Sequence, residues 1–168
     1  MSSSLFESAR VYVPAEYRLA LSLQVSLPEL PHGAALFADI SGFTPLTEAL
    51  TRALGLRRGA EELPLYLNKV YDALISEVDR FGGSVIGFAG DSITCWLDGD
   101  DGRRAIACGL AMQDVMRPYA DLKTPGGTQV ALHIKVAIAV GPARRQTVVE
   151  TAWVAADHQR GQPVGHDS

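Results

Sequence analysis

Apolar residues in this chain follow two kinds of spacing, and the switches between them mark its elements. Ala34 to Ala38 is a continuous apolar run, long enough for one buried strand, and it ends on a lone carboxylate, Asp39. Ser41-Gly42-Phe43-Thr44 comes next and opens a stretch in which Leu46, Leu50 and Leu54 are spaced by four. That spacing predicts a helix over 43–54, closed by Gly55. Arg57-Arg58-Gly59 reads as a turn, and a longer helix is expected from about Ala60 to Arg80, with Leu63, Leu67, Val70, Leu74 and Val78 as its apolar stripe. Pro64 suits such a helix only in its opening turn, where the missing N–H would have no partner. Gly82-Gly83 ends it.

The spacing then changes to strands. Val85 to Ala89 and Ile93 to Leu97 flank Gly90-Asp91, and glycine at the first central position marks a type II′ hairpin with Asp91 at its tip. Asp98 to Gly102 is a polar turn in which Asp100 or Asp101 can cap a third helix. That helix is predicted from Arg103 to about Met116, with Ile106, Leu110, Met112, Val115 and Met116 as its pattern and Pro118 as its stop. After the loop Thr124-Pro125-Gly126-Gly127, Leu132, Ile134, Val136, Ile138 and Val140 alternate, which predicts one strand over 129–140 with His133 and Lys135 on its other face.

The first 32 residues are less decided. Val11 to Pro14 suits a short edge strand; Tyr17, Leu21 and Val25 fit a helix face, while Leu19, Leu21, Leu23, Val25 and Leu27 alternate as in a strand. Pro28 and Pro31 break the chain before the first core strand. The organisation expected is an arm over 1–32, a core domain over 33–145, and an atypical, disordered tail over 146–168, whose end from Asp157 to Ser168 is polar and without period.

Strand, two helices, hairpin, helix, strand is an α+β order: the ferredoxin-like βα(α)ββαβ arrangement with a doubled first crossover. In that fold the first and third strands lie side by side at the centre. Asp39 ends the first and Asp91 leads into the third, so the topology brings the two acids to one end of the sheet. Two carboxylates on a rigid sheet suit Mg²⁺, and the free N–H groups of the turn at Ser41 to Thr44 suit an anion such as a phosphate. For Asp39 or Ser41 alone, the plain alternative is a helix cap.

Composition narrows the field. A chain of 168 residues with 47% hydrophobic and 20% charged residues is one ordinary soluble domain with a proper core. A net charge of −4 leaves no basic footprint for nucleic acid. The arginines at positions 52, 57, 58, 103, 104, 144 and 145 read as a solvated face, with phosphate contact the lesser reading. Cys95 and Cys108 suit core positions rather than a disulfide or a zinc site, and the methionines suit core filling. The start lacks the pattern of a signal peptide and no stretch matches a membrane span, so a cytoplasmic protein is expected.

Three motifs stand in order: Phe37-Ala38-Asp39-Ile40-Ser41-Gly42-Phe43-Thr44, then Phe81-Gly82-Gly83, then Phe88-Ala89-Gly90-Asp91. In order and spacing they resemble class III adenylate/guanylate cyclase domains, particularly the soluble, bicarbonate-responsive adenylyl cyclase type and its bacterial multidomain relatives. The resemblance runs from about Gly33 to about Arg145. It implies two divalent ions, Mg²⁺ or Mn²⁺, held by Asp39 and Asp91 with the Ile40 carbonyl as a further ligand. It also implies that N–H groups from Ser41, Gly42, Phe43 and Thr44 support the phosphates. One ion would acidify the ribose 3′-hydroxyl and the other would neutralise the leaving pyrophosphate. The substrate would be ATP, with GTP open, and the site would form between two domains paired head to tail.

The chain also departs from that family. Its pattern stops after Gly141-Pro142-Ala143-Arg144-Arg145, before the further strands that carry an Asn and an Arg for the transition state, so the domain is expected to be cut short at its C-terminus. Relatives often carry a lysine four residues before the Gly-Asp acid, where this chain has Gly87. The resemblance therefore implies the metal-bearing half of a composite cyclase site. The alternative is an inactive nucleotide-binding, dimerisation or regulatory module. A diguanylate cyclase is disfavoured, since its Gly-Gly-acid-acid-Phe turn is absent.

Overall fold

The computed structural model describes residues 15–145. The possible edge strand at Val11 to Pro14 and the tail over 146–168 lie outside the described residues. The open choice in the arm resolves as a helix, α1 (Ala15–Leu23). The core then runs β1 (His32–Ser41), α2 (Phe43–Leu54), α3 (Leu56–Arg80), β2 (Ser84–Ala89), β3 (Ser92–Asp98) and α4 (Arg103–Val115). A 3₁₀ turn at Arg117–Asp121 leads to the short strands β4 (Leu122–Lys123) and β5 (Gln129–Val130), and β6 (His133–Pro142) closes the described chain.

Four strands form one antiparallel sheet in the order β2-β3-β1-β6, with β1 and β3 at its centre. This is the ferredoxin-like arrangement, with two helices in the first crossover. Alternation along β1 buries Leu36, Ala38 and Ile40 on one face, where they join Leu46 and Leu50 of α2, Val70, Leu74 and Val78 of α3, and Ala105, Cys108 and Met112 of α4 in one core. The opposite face carries Ala35, Phe37 and Asp39 from β1 and lies away from the helices. Phe37 is 42% exposed there, so this face is open. No helix among the described residues is long and apolar enough to cross a membrane.

Helix α2 has the expected bounds, but α3 starts earlier than expected. Arg57-Arg58-Gly59 is helical rather than a turn, because Gly55, at φ +83°, redirects the chain within a single residue. The same early start leaves Pro64 inside α3 instead of in its opening turn, where it denies Ala60 the usual N–H partner. Gly59 lets the two helices touch: a Cβ there would stand 3.0 Å from the Thr51 Cα.

In α4 the core-facing stripe is small rather than large. Ala105, Cys108, Gly109 and Met112 are buried, whereas Ile106 and Leu110 are 55% and 60% exposed. The helix lies so near the sheet that a Cβ on Gly109 would come within 3.1 Å of Val136 Cγ1, and bulky residues are turned outward. Met112 and Met116 are buried as core fillers. The strand expected over 129–140 is interrupted. Ala131 and Leu132 leave the ladder, the Leu132 N–H bonds to the Tyr119 carbonyl at 2.9 Å, and β5 pairs with β4 instead.

The arm is fastened to the core by Arg145. Its backbone N–H bonds to the Glu29 carbonyl, its guanidinium bonds to the Pro28 carbonyl at 3.2 Å, and it lies over the Tyr17 ring at 5.4 Å from the centroid. Arg104 works similarly at the other end of the hairpin, bonding the carbonyls of Phe81 and Asp98. Neither arginine simply belongs to a solvated face.

Candidate functional site

Asp39 stands near the end of β1, half-buried, opposite Ser92 of β3 and Lys135 of β6. Opposed residues of antiparallel strands share a face, so Ser92, Asp39 and Lys135 form one row on the open side of the sheet. Ala89 of β2 extends the row at its far side. Lys135 is exposed, and the register sets it across from Asp39 on the neighbouring strand.

Asp91 lies one residue outside β3, in the two-residue loop that joins the paired Ala89 and Ser92. Gly90 has φ +61°, while Asp91 is not among the positive-φ residues. Positive then negative φ is the type II′ signature expected from the sequence. The Ile40 N–H donates to the Asp91 carbonyl at 3.2 Å, which ties the loop to β1 one residue beyond Asp39. Because the N–H and C=O of a strand residue point to the same neighbour, the Ile40 carbonyl is directed at this loop too. The two acids therefore sit on adjacent strands at the same end of the sheet, with the Ile40 backbone between them.

The start of α2 is the third part. Gly42 caps it at φ +104° with no side-chain cap, and Pro45 brings no N–H to the first turn. That leaves the N–H groups of Phe43 and Thr44 facing outward at the helix start. The Thr47 hydroxyl folds back onto the Phe43 carbonyl and does not reach them. Ser41 differs from expectation in one respect: it is the last residue of β1, in register with His133, and not part of the helix turn. Neither Asp39 nor Ser41 caps α2. The plain alternative reading of these residues is thus set aside.

Gly87 lies opposite Thr94, in the next row of the open face, beside Phe37. A Cβ there would meet nothing within 4 Å. That position is therefore open space in this chain.

Two neighbours of the site were not identified from the sequence. Lys135 was placed on the correct face by alternation, but only the β1–β6 register sets it against Asp39. Tyr71 of α3 lies under the Asp91 loop, with its hydroxyl 3.4 Å from the Gly90 carbonyl and its ring edge-on to Phe88 at 5.8 Å. Burial, and after it the Asp91 carboxylate, push the Tyr71 phenol above its ordinary range. The signal available was its place four residues after Leu67, at the margin of the apolar stripe.

The α+β palm thus carries two acids at one end of its central strands, with a bare helix start beside them. Adenylate cyclase type 10 from Rattus norvegicus is 44% identical over 61 residues, 36% of this chain and 4% of that protein, and the Homo sapiens protein matches to the same extent. The chain thus matches only a small part of the length of these relatives. A bacterial light-regulated adenylyl cyclase superposes with a TM-score of 0.66 at 20% identity, over 88% of this chain and 44% of that one. The guanylyl cyclase Cya2 does so with a TM-score of 0.58 at 26% identity, over 73% and 60%. No family model matches. In both sequence and fold, the chain resembles class III adenylyl and guanylyl cyclase catalytic domains.

Proposed function

We propose that this chain is the metal-bearing half of a nucleotidyl cyclase site that converts ATP to cyclic AMP and pyrophosphate, with GTP as the alternative substrate. The observation that carries the reading is the bond from the Ile40 N–H to the Asp91 carbonyl, which holds both acids at one end of neighbouring strands. The chemistry of the donors fits a hard cation: two carboxylates and a backbone carbonyl, all oxygen. Asp39, Asp91 and the Ile40 carbonyl would hold two Mg²⁺ or Mn²⁺ ions. Bound there, such ions would supply an acidified 3′-hydroxyl and charge neutralisation on the leaving pyrophosphate.

The protein's own groups do the rest. The Phe43 and Thr44 N–H groups, with the positive end of α2 behind them, face the phosphate oxygens. Gly42 keeps the backbone of that turn bare, since no side chain stands between the N–H groups and the anion. Lys135, in the same row as Asp39, offers a cation toward the triphosphate. Groups for the purine and the transition state come from a second cyclase domain paired head to tail, so the chain alone is expected to be nearly inactive.

One observation favours a second reading, a nucleotide-binding or dimerisation module without catalysis. Gly87 leaves its place on the open face empty of any side chain. A single experiment separates the two. The chain is mixed with ATP or GTP and Mn²⁺, with and without a complementary cyclase half, and cyclic nucleotide is measured. Product only in the presence of the partner supports the cyclase. Mn²⁺-dependent nucleotide binding without product under any pairing supports the module. Asp39→Ala and Asp91→Ala are each expected to lower product and metal affinity by roughly tenfold or more, because each removes a direct ligand.

A further inference from the structure

We infer that Tyr71 is a positioning residue for the Asp91 loop: its hydroxyl holds the Gly90 carbonyl and so sets which way the central peptide of the turn faces. This rests on the reading of Asp91 as a metal ligand.

A two-residue hairpin loop has two favoured forms, II′ and I′, which differ by a flip of the peptide between its central residues. Here that peptide joins Gly90 to Asp91. In the structure Gly90 is at positive φ and Asp91 is not, the II′ state. After a flip, Asp91 would be at positive φ, which aspartate tolerates better than most residues. Gly90-Asp91 favours the II′ form but permits the I′ form, so the local sequence leaves the flip accessible.

Tyr71 supplies a choice from outside the loop. It projects from α3 between Val70 and Leu74, both fully buried, so its backbone is fixed by the core. The ring meets Phe88 edge-on on the helix side of the sheet, and the hydroxyl reaches the Gly90 carbonyl at 3.4 Å. The hydroxyl is the donor in that bond, since a carbonyl oxygen can only accept. A trans peptide points its N–H opposite to its C=O, so with the carbonyl held toward α3 the Asp91 N–H faces the other way. A flip would exchange them and, by carrying Asp91 to positive φ, re-aim its carboxylate away from the direction that the present turn gives it. The Asp91 carbonyl is held in turn by the Ile40 N–H, so the acid is braced on both sides.

Tyr71→Phe removes the hydroxyl and keeps the ring against Phe88. In the full chain, Mn²⁺ affinity read by electron paramagnetic resonance is expected to weaken about two- to tenfold, the factor one neutral hydrogen bond contributes. The amide signals of Gly90, Asp91 and Ser92 should shift or double in the ¹⁵N–¹H spectrum while core signals stay in place. In an Asp91→Asn background the same substitution should leave Mn²⁺ affinity unchanged. An unaltered Mn²⁺ affinity in Tyr71→Phe, whether or not the melting temperature falls, would overturn the positioning role while leaving the metal site standing. Should the parent chain bind Mn²⁺ no more tightly than its Asp39→Ala variant, the metal reading fails and the role of Tyr71 fails with it.

Discussion

Two glycines near the site show how differently one residue type can be constrained. Gly42 combines φ +104° with a Cα whose added Cβ would collide with the Ala131 carbonyl oxygen. Gly87 is at ordinary φ, and a Cβ there meets open space. Gly42→Ala is therefore expected to destabilise the fold by about 2 kcal/mol or more, from backbone strain and steric displacement together. Gly87→Lys should keep the parent stability or raise it slightly, because strand glycine carries an entropic penalty of about 0.5–1 kcal/mol. Urea unfolding midpoints of the two variants check both. A mild Gly42→Ala, or a Gly87→Lys that unfolds early, would contradict this account. Asp39 and Asp91 were legible in the sequence because each ends an apolar run at a turn signal. Lys135 was not legible as their neighbour, since register between strands far apart in the chain depends on packing and not on local pattern.

At the scale of elements, the helix starts carry most of the information. Asp100 is 3% exposed, and its carboxylate accepts the Arg104 N–H at 3.2 Å and the Ala105 N–H at 2.9 Å, while Asp101 accepts from the Arg103 N–H. Both candidate caps named from the sequence are in use, but Asp100 is the buried one. Asp100→Ala would leave two N–H groups of the first turn of α4 without their acceptor, and a loss of about 1–3 kcal/mol is expected in a thermal or urea melt. Asp101→Ala, on the solvent side, should cost well under half of that. Where the sequence reading of elements failed, it failed on proximity. Gly55 turns the chain in a single residue and so brings α3 in early, close against α2 at Gly59, while Gly109 lets α4 approach the sheet and leaves Ile106 and Leu110 outward. A hydrophobic stripe records which residues are apolar, not how near the opposing surface lies.

The described core is two layers, α2, α3 and α4 on one face of a four-stranded sheet, and Cys95 and Cys108 lie between them, one from β3 and one from α4. Both are free thiols and buried, as their apolar settings indicated. Burial, and then the neighbouring Cys108, push the Cys95 thiol up to about 12; burial and then Glu77 push Cys108 up to about 11. The unfolded chain releases these protons near 9.0, the ordinary value, while the folded chain keeps them. Between those values the unfolded state binds fewer protons, so stability must fall as pH rises from about 9 toward 12. The raised phenol of Tyr71 acts in the same direction above 10.0. Unfolding midpoints measured at pH 7, 9 and 10.5 should therefore decline at the alkaline end, and less steeply in Cys95→Ala than in the parent. At pH 8 a thiol-reactive dye should label neither cysteine until denaturant opens the core, because a thiolate is the reacting species and the fold suppresses it. Prompt labelling of the folded chain, or equal alkaline slopes in parent and variant, would mean that the two layers do not close over these thiols as the structure shows.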